Sequence, residues 1–206
     1  YGRIITADGT VHADQAAQME DVLNRRLAHE PLQYILGYAY FMGHAFCVRP
    51  GVLIPRRDTE LLASEAIRRA KRGGAVLDMC CGSGCVGLSV LASRADIRLV
   101  LADICDTAID VAGQNAKRLG LECALVQTDR FQNLTRALFD MILCNPPYIP
   151  TGEMDCLHPE VERFEPRLAL WGGDDGLAFY KAFIPEARQH LHPGGMLGLE
   201  FGINAL

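Results

Sequence analysis

The sequence predicts an α/β fold in which helices cover both faces of a mostly parallel β-sheet. From residue 75 onward, short segments of nearly continuous apolar residues alternate with helical segments. This alternation is typical of strands that are buried on both faces. Glycines, aspartates or an asparagine directly follow several of these strands. Because ligands bind at the carboxyl ends of parallel strands, we expect these polar residues to line one crevice.

Hydrophobic periodicity places the elements of this region. The predicted strands cover residues 75–79, 98–102, 124–128, 139–144 and 196–201, and the predicted helices cover 85–93, 107–119 and 176–191.

The region before residue 75 has a different character. Residues 13–29 form a predicted amphipathic helix, and since one helix cannot bury its own apolar face, that face needs a partner. Residues 38–42 and 45–49 are rich in aromatic residues and predict a β-hairpin. A helix then begins near Asp58 or Thr59, either of which is a suitable N-cap, and extends to about Arg72. The apolar face of the first helix consists of Ala16, Met19, Leu23 and Leu27.

Composition narrows the functional classes. The 206-residue chain has a net charge of −5, which disfavours a surface that binds nucleic acid stably. No apolar segment approaches the ~20 residues of a membrane span. Most of the eight cysteines lie in apolar segments without a paired Cys-x-x-Cys motif, so we expect reduced thiols in a cytoplasmic protein. We expect no metal, since Cys156-x-His158 is an incomplete site. A monomer is the default expectation.

A proline corner follows the strand at 139–144. It consists of Asn145, Pro146, Pro147 and Tyr148. The prolines end the strand, because they fix φ and lack an N–H donor, and Asn145 is held extended before them. The corner therefore presents a carboxamide, backbone carbonyls and an aromatic ring, which suit a planar amide or amine ligand. The structural alternative is a proline-rich turn with an asparagine cap.

A glycine-rich loop lies between the strand at 75–79 and the next helix. It contains Gly82-x-Gly84-x-x-Gly87, and Asp103 ends the following strand, as in a dinucleotide-binding motif. A nicotinamide dehydrogenase is therefore one interpretation. Against it, Asp78 directs a carboxylate towards the place where a pyrophosphate would bind.

S-adenosylmethionine suits this loop better, because it carries an ammonium and no phosphate. Asp78 is expected to attract the ammonium, Gly82 and Gly84 to allow close backbone approach, Asp103 to bind the ribose diol and Asp129 the adenine amino group. Helix capping, loop solvation and a plain tight turn are the structural alternatives. The candidate cofactor-binding residues are Asp78, Cys80, Cys81, Gly82, Ser83, Gly84, Asp103, Asp129, Arg130 and Asn145.

Taken with these motifs, the chain resembles the protein-glutamine methyltransferases that modify peptide-chain release factors. The similarity extends over nearly all of residues 22–204 and includes segments 25–37, 52–60 and 163–177. The resemblance implies a Rossmann-like, class I S-adenosylmethionine-dependent methyltransferase fold. It also implies three parts: a remnant of an N-terminal helical domain at 1–30, a hairpin and connecting helix at 31–72, and a catalytic domain at 73–206 whose last strands are missing.

The implied reaction is methyl transfer to the side-chain amide nitrogen of a glutamine, most closely the Gly-Gly-Gln glutamine of a release factor. Asn145 and the Pro146 carbonyl would accept the two amide N–H bonds, and Tyr148 would stack on the amide, with Pro147 also in the substrate site. A sister group that modifies a ribosomal-protein glutamine is an alternative target. A methyltransferase acting on an exocyclic amine of a nucleic-acid base and a non-catalytic partner-binding domain are further alternatives.

Two departures from the family pattern concern the cofactor site. Cys80 and Cys81 replace a glycine and a threonine, and a residue with a side chain at position 80 indicates either a negative φ or strain, with weaker cofactor binding. Arg130 stands where an aromatic residue sometimes lies beside adenine.

Several segments are expected to flank the crevice and hold the protein substrate. These are the hairpin at 38–49, Arg56 and residues 151–171. Within the last segment, Glu165 and Arg167 either contact the substrate or form an ion pair.

Overall fold

The computed structural model describes residues 13–202, so the predicted N-terminal part at 1–30 is described only from residue 13. A five-stranded sheet with the order β5-β4-β3-β6-β7 forms its centre, and every neighbouring pair of strands is parallel. This confirms the predicted fold class. The strands are β3 (Ala75–Met79), β4 (Arg98–Asp103), β5 (Ala124–Gln127), β6 (Phe139–Cys144) and β7 (Leu191–Leu199).

Helices cover both faces of this sheet, as predicted. Side chains alternate along each strand, so Val76 packs into one core with α3 to α5 whereas Leu77 packs into the opposite core with α7. The helices are α1 (Ala13–Leu27), α2 (Leu32–Leu36), α3 (Glu60–Arg69), α4 (Cys85–Ser93), α5 (Asp106–Leu119), α6 (Pro159–Phe164) and α7 (Ala178–Gln189), with 3₁₀ turns at Thr151–Cys156 and Arg167–Ala169.

The predicted hairpin is present as β1 (Tyr38–Phe41) and β2 (His44–Cys47). Its two-residue turn, Met42-Gly43, has positive φ at both positions, which matches the twist of the paired strands. Phe41 and Phe46 are buried in the core beside α3 and α4. The hairpin is therefore packed into the body of the fold.

The larger differences from the prediction concern three elements. Residues Leu32–Leu36, shortly before the hairpin, form a helix, α2, whose C-cap Gly37 has a left-handed φ of 77°. Helix α3 ends at Arg69, and its C-cap Ala70 is extended. Strand β7 begins at Leu191 rather than at residue 196, because Leu191 already pairs with Phe139 and the irregular residues that follow are held in the sheet.

The apolar face of α1 is exposed. Met19, Leu23 and Leu27 have exposed fractions of 48%, 56% and 78%, so the predicted partner of this face is absent from residues 13–202. The C-terminal end of the helix is fixed through Arg26, which forms an ion pair with Glu160 of α6.

No helix within residues 13–202 combines the length and the apolar character that a membrane crossing requires.

A buried carboxylate joins the segment before α3 to the segment after α6. The Glu165 side chain is 1% exposed; it forms an ion pair with Arg56 and accepts a hydrogen bond from the Ile54 N–H at 3.2 Å. Of the two alternatives for Glu165 and Arg167, the mutual ion pair is not formed: Glu165 pairs with Arg56, and Arg167 lies over the ring of Trp171, 5.9 Å from its centroid. Helix α6 ends at Phe164, so Glu165 and Arg167 do not share one continuous helix: Glu165 follows α6, and Arg167 begins a 3₁₀ turn.

Replacing Glu165 with alanine is expected to lower the free energy of unfolding by about 2 kcal/mol, because a buried N–H and a partly buried guanidinium both lose their acceptor. Urea unfolding followed by circular dichroism measures this change. Glu162→Ala, which removes an exposed carboxylate from the adjoining helix α6, is the matched control and should change stability by less than ~0.5 kcal/mol. Equal stability of the two variants would contradict the structural role of Glu165.

Candidate active site

A cavity of about 260 Å³ lies at the carboxyl ends of β3, β4 and β6. Parallel strands bring their carboxyl ends to one edge, and the loops that follow them form the cavity walls. Most of the candidate residues meet here, as the sequence predicted. Those lining the cavity are Asp78, Cys80, Cys81, Gly82, Ser83, Asp103, Asp129, Arg130, Asn145 and Pro147.

Asp78 is the penultimate residue of β3 and faces α4. Its Oδ2 accepts the Gly87 N–H in the first turn of that helix at 2.8 Å. A Cβ at position 87 would lie 2.6 Å from the Leu101 side chain and 3.0 Å from Asp78, so only glycine permits this approach. Burial raises the pKa of Asp78 to about 7, the Gly87 N–H opposes the shift, and the charge of Asp103 adds to it. The cavity wall therefore carries a carboxyl group that is ionised only in part near neutral pH.

Asp103 organises the loops around the cavity. Its Oδ2 accepts the Gly82 N–H at 2.9 Å, and its Oδ1 accepts the Cys105 N–H at 3.0 Å. Burial raises the pKa of Asp103, and these backbone donors partly offset the effect. One side chain thus holds the glycine loop and the start of α5 at a fixed separation.

Cys80 adopts a left-handed backbone conformation with a φ of 57°. The expected negative φ is therefore wrong, and the alternative, strain, is what the structure shows: this conformation costs a residue with a side chain about 1–2 kcal/mol. The Cys80 side chain packs against the cluster that contains Cys144 at the end of β6, and burial together with this neighbour holds the pKa of Cys144 far above its ordinary value. Cys81 is buried, and its N–H donates to the Ala102 carbonyl at 3.1 Å.

Asp129 and Arg130 follow β5 on the far wall. Arg130 Nη1 lies 3.1 Å from Asp129 Oδ1, and Arg130 Nε lies 3.1 Å from Glu186 on α7. Arg130 therefore bridges two carboxylates and occupies the cavity wall as part of an ion-pair network. One oxygen of Asp129 is engaged by this network, and Gln132 donates to the other at 3.3 Å.

A second cavity, of about 190 Å³, adjoins the first. Asn145, Leu53, Arg56 and Ala169 line both cavities, so Asn145 stands in the wall between them. Its Nδ2 donates to Thr59 Oγ1 at 3.3 Å. The remaining residues of the second cavity are Pro146, Tyr148, Ile149, Leu157, Val161 and Leu170.

Tyr148 is held in place by the end of β7. Its hydroxyl lies 3.4 Å from Glu200 Oε1, and the Glu200 carbonyl accepts the Tyr180 hydroxyl at 2.7 Å. Burial and the nearby Glu200 carboxylate raise the pKa of Tyr148. The phenol therefore stays neutral at physiological pH and offers a ring surface rather than a base.

Two predicted site members do not line either cavity. Gly84 has a φ of 76° and faces the core, where a Cβ would lie 3.1 Å from Leu88 and from Leu101, so its backbone conformation and its packing both favour glycine. The hairpin contributes no residue to the lining of either cavity, and its role beside the crevice stays a prediction. The hairpin is bound through Asn115 of α5, whose side chain bonds the Cys47 backbone and the Ser83 carbonyl.

Other lining residues escaped the sequence analysis. Ile104 and Phe179 add apolar walls beside Asp103 and Asp129, and Thr59 lies at the junction with the proline corner. An apolar isoleucine directly after Asp103, at the carboxyl end of a strand, was a signal for a site wall, and the structure leaves Ile104 48% exposed there. Phe179 lies far from the motifs in sequence, and Thr59 could be read only as a helix cap, so the fold brings both to the site.

The cavity fits the parts of S-adenosylmethionine. Asp78 and Asp103 provide negative charge and acceptors for an ammonium and a ribose diol, and Ile104 and Phe179 provide apolar surface for a flat base. Within residues 13–202, no three His, Cys, Asp or Glu side chains converge in a way that suits a metal ion.

Comparison with known proteins identifies the family of this chain. Residues 54–158 match the family model described as the methyltransferase small domain, and residues 3–37 match the PrmC N-terminal domain. The release factor glutamine methyltransferase of Geobacter sulfurreducens is 43% identical over 98% of this chain and 71% of its own length. That of Thermodesulfovibrio yellowstonii is 35% identical over 97% of this chain and 74% of its own length.

Solved structures show the same fold at low sequence identity. A 16S rRNA methyltransferase of T. thermophilus, in complex with AdoMet and guanosine, has a TM-score of 0.59 and 23% identity over 79% of this chain and 40% of its own. A methyltransferase from Pyrococcus furiosus has a TM-score of 0.54 and 17% identity over 91% of this chain and 78% of its own. With the class I methyltransferase fold in place and relatives of this identity matched along almost its whole length, the chain belongs to the release factor glutamine methyltransferase family.

Proposed function

We propose that this protein transfers a methyl group from S-adenosylmethionine to the side-chain amide nitrogen of a glutamine, the Gly-Gly-Gln glutamine of a peptide-chain release factor. The observation that carries the proposal is the position of Asn145, which lies in the wall between a cavity suited to the cofactor and a second cavity open to an acceptor side chain. The names of the relatives support the release factor as the substrate.

The cofactor supplies an electrophilic methyl group when bound. Asp78, Asp103 and Asp129 would hold its polar groups, with Cys80 to Ser83 and Arg130 forming the surrounding walls. The strain at Cys80 is expected to weaken this binding relative to a glycine at the same position.

The protein's main task is to orient a poor nucleophile, because an amide lone pair is delocalised into its carbonyl. The Asn145 side-chain oxygen and the Pro146 carbonyl would accept the two N–H bonds of the glutamine amide. Two acceptors in fixed positions aim the nitrogen and raise its electron density. Tyr148 would cover the amide plane and limit the access of water. As the methyl–sulfur bond breaks and the thioether leaves, the methylated nitrogen would lose its extra proton to water or to a carbonyl, so the neutral phenol of Tyr148 needs no part in proton transfer.

The second cavity favours a side chain over a nucleobase as the acceptor. At about 190 Å³ it is smaller than a usual ligand pocket, and apolar residues such as Leu157, Val161 and Leu170 surround it. A base-modifying enzyme would need room for a flipped nucleotide and a basic groove, whereas this chain has a net charge of −5.

We further propose that the protein works as a monomer in the cytoplasm without stable binding to nucleic acid or membranes. All eight cysteines are free thiols, which is what a reducing compartment supports. The three-part division at residues 30 and 72 stays a prediction.

Replacing Asn145 with alanine is expected to lower kcat about 10²–10³-fold, because the acceptor amide loses a preorganised partner. Transfer of labelled methyl from S-adenosylmethionine to a purified release factor measures the change. The matched control is Asn24→Ala on the exposed face of α1, which should retain full activity. A release factor whose Gly-Gly-Gln glutamine is replaced should accept no label, and labelling of that protein would refute the proposed acceptor.

Asp78 is expected to make cofactor binding depend on pH. Its pKa of about 7 means that the carboxyl group must lose a proton to attract the ammonium, so affinity should fall up to tenfold per pH unit between about pH 7 and pH 5.5. Calorimetry at several pH values tests this. Asp78→Asn should weaken binding and flatten the dependence, whereas Asp110→Asn, an exposed carboxylate, should change neither.

The raised pKa of Asp78 also makes the stability of the cofactor-free protein depend on pH. Between the ordinary value of 3.8 and about 7, the folded state binds more protons than the unfolded chain, so this group lowers the free energy of unfolding as the pH rises. Urea unfolding at pH 5 and pH 8 measures the loss, and Asp78→Asn should remove the share of Asp78 while that of Asp103 remains. An unchanged pH dependence in Asp78→Asn would show that another group is responsible.

A further inference from the structure

Thr59 occupies the N-cap position of α3 without capping the helix. An N-cap threonine normally accepts a backbone N–H of the first turn with its hydroxyl. Here the backbone of Thr59 is itself helical, with φ −64° and ψ −19°, and its side chain makes no capping bond. The residue is only 2% exposed, so a buried hydroxyl has been directed elsewhere.

The hydroxyl instead contacts the proline corner. Thr59 Oγ1 accepts a hydrogen bond from Asn145 Nδ2 at 3.3 Å, across 86 residues of sequence. Within residues 13–202, this is the hydrogen bond that the Asn145 side chain makes, and Oδ1 is left without a donor. Thr59 also lines the cofactor cavity, where its own proton can be donated.

We propose that Thr59 is a positioning residue that fixes which end of the Asn145 carboxamide faces the acceptor glutamine. An asparagine side chain has an acceptor oxygen and a donor NH₂ of nearly equal size, so rotation by 180° exchanges them. With NH₂ towards the glutamine amide, two donors would face each other and the acceptor for the amide would be lost. A threonine hydroxyl can accept or donate, but with its proton donated into the cofactor cavity only its lone pairs remain for Asn145. Thr59 then binds the NH₂ end, and Oδ1 is turned towards the acceptor.

The surroundings of Thr59 make this contact rigid. The segment before it is anchored by Glu165, which binds the Ile54 N–H and the Arg56 guanidinium, and by the Tyr34 hydroxyl, which donates to the Val52 carbonyl at 2.7 Å. Thr59 is therefore presented to Asn145 from a fixed backbone rather than from a free loop. A hydrogen bond from a fixed partner restrains the carboxamide without large loss of entropy at each turnover.

This inference rests on the proposed function, because it assigns a role relative to Asn145. Thr59→Val keeps the shape and removes the hydroxyl, and we expect kcat for methyl transfer to a release factor to fall about tenfold, as for the loss of one hydrogen bond. Thr59→Ser keeps the hydroxyl and should remain within about twofold of the parent. Both variants are compared at saturating S-adenosylmethionine, so that any change in cofactor affinity at this cavity-lining residue does not enter kcat.

A double-variant cycle tests whether Thr59 acts through Asn145. In an Asn145→Ala background, Thr59→Val should cause no further loss of kcat. Nuclear magnetic resonance of the free protein gives a readout that needs no activity: the Asn145 side-chain NH₂ signals, assigned from their loss in Asn145→Ala, should shift in Thr59→Val and stay in place in Thr59→Ser. If Thr59→Val is poorly folded, Thr59→Ala serves in the same comparisons.

Full activity of Thr59→Val beside an inactive Asn145→Ala would overturn the role of Thr59 and leave the proposed function standing. Equal losses in Thr59→Val and Thr59→Ser would also overturn it, because the hydroxyl would then be irrelevant. If the parent protein transfers no methyl group to a release factor, the proposed function fails instead, and the resonance measurement still decides whether the contact with Asn145 exists.

Discussion

The buried carboxylate of Glu165 is the constraint on which the arrangement of the site depends. It joins two segments that are 109 residues apart, through the Ile54 N–H and the Arg56 side chain. Both segments contribute walls to both cavities, so their separation determines the width of the crevice. A carboxylate with 1% exposure is costly unless its acceptor capacity is used, and here backbone and guanidinium donors use it. The ion pair is therefore structural, and a role as a direct substrate contact is not available to its buried end.

In the glycine loop, the geometry of the site is kept at the cost of backbone strain at Cys80. Cys80 is held at a φ of 57°, and its strain persists because the surrounding backbone is fixed: Cys81 bonds Ala102 of β4 and Gly82 bonds Asp103. Strain of this kind is maintained only where neighbouring structure determines it. The contact between Cys80 and Cys144 then links the loop to the end of β6, which leads into the proline corner. The glycine loop and the proline corner are therefore packed together where Cys80 meets the end of β6.

Local sequence signals predicted the strands that matter most. Strands β3 and β6 begin and end where predicted, because glycines precede β3 and prolines follow β6. The sheet edge then brought the loop, Asp103, Asp129 and Asn145 together as expected. Sequence could not predict contacts that depend on packing over long separations. The hairpin packs into the core, because Phe41 and Phe46 are buried. Glu165 pairs with Arg56 rather than with Arg167. The hydroxyl of Thr59, a suitable N-cap by sequence, does not cap α3.

The charges at the sheet edge explain why the loop suits a cationic cofactor although its glycine spacing matches a dinucleotide motif. Asp78 and Asp103 lie close enough that the charge of Asp103 raises the pKa of Asp78, and burial raises the pKa of both. A pyrophosphate placed here would add negative charge beside two carboxylates in a poorly solvated cavity. An ammonium and a sulfonium would instead stabilise the ionised carboxylates that burial disfavours. The carboxylates of Asp78 and Asp103, rather than the glycines, therefore make this site favour a cationic methyl donor over a nicotinamide cofactor.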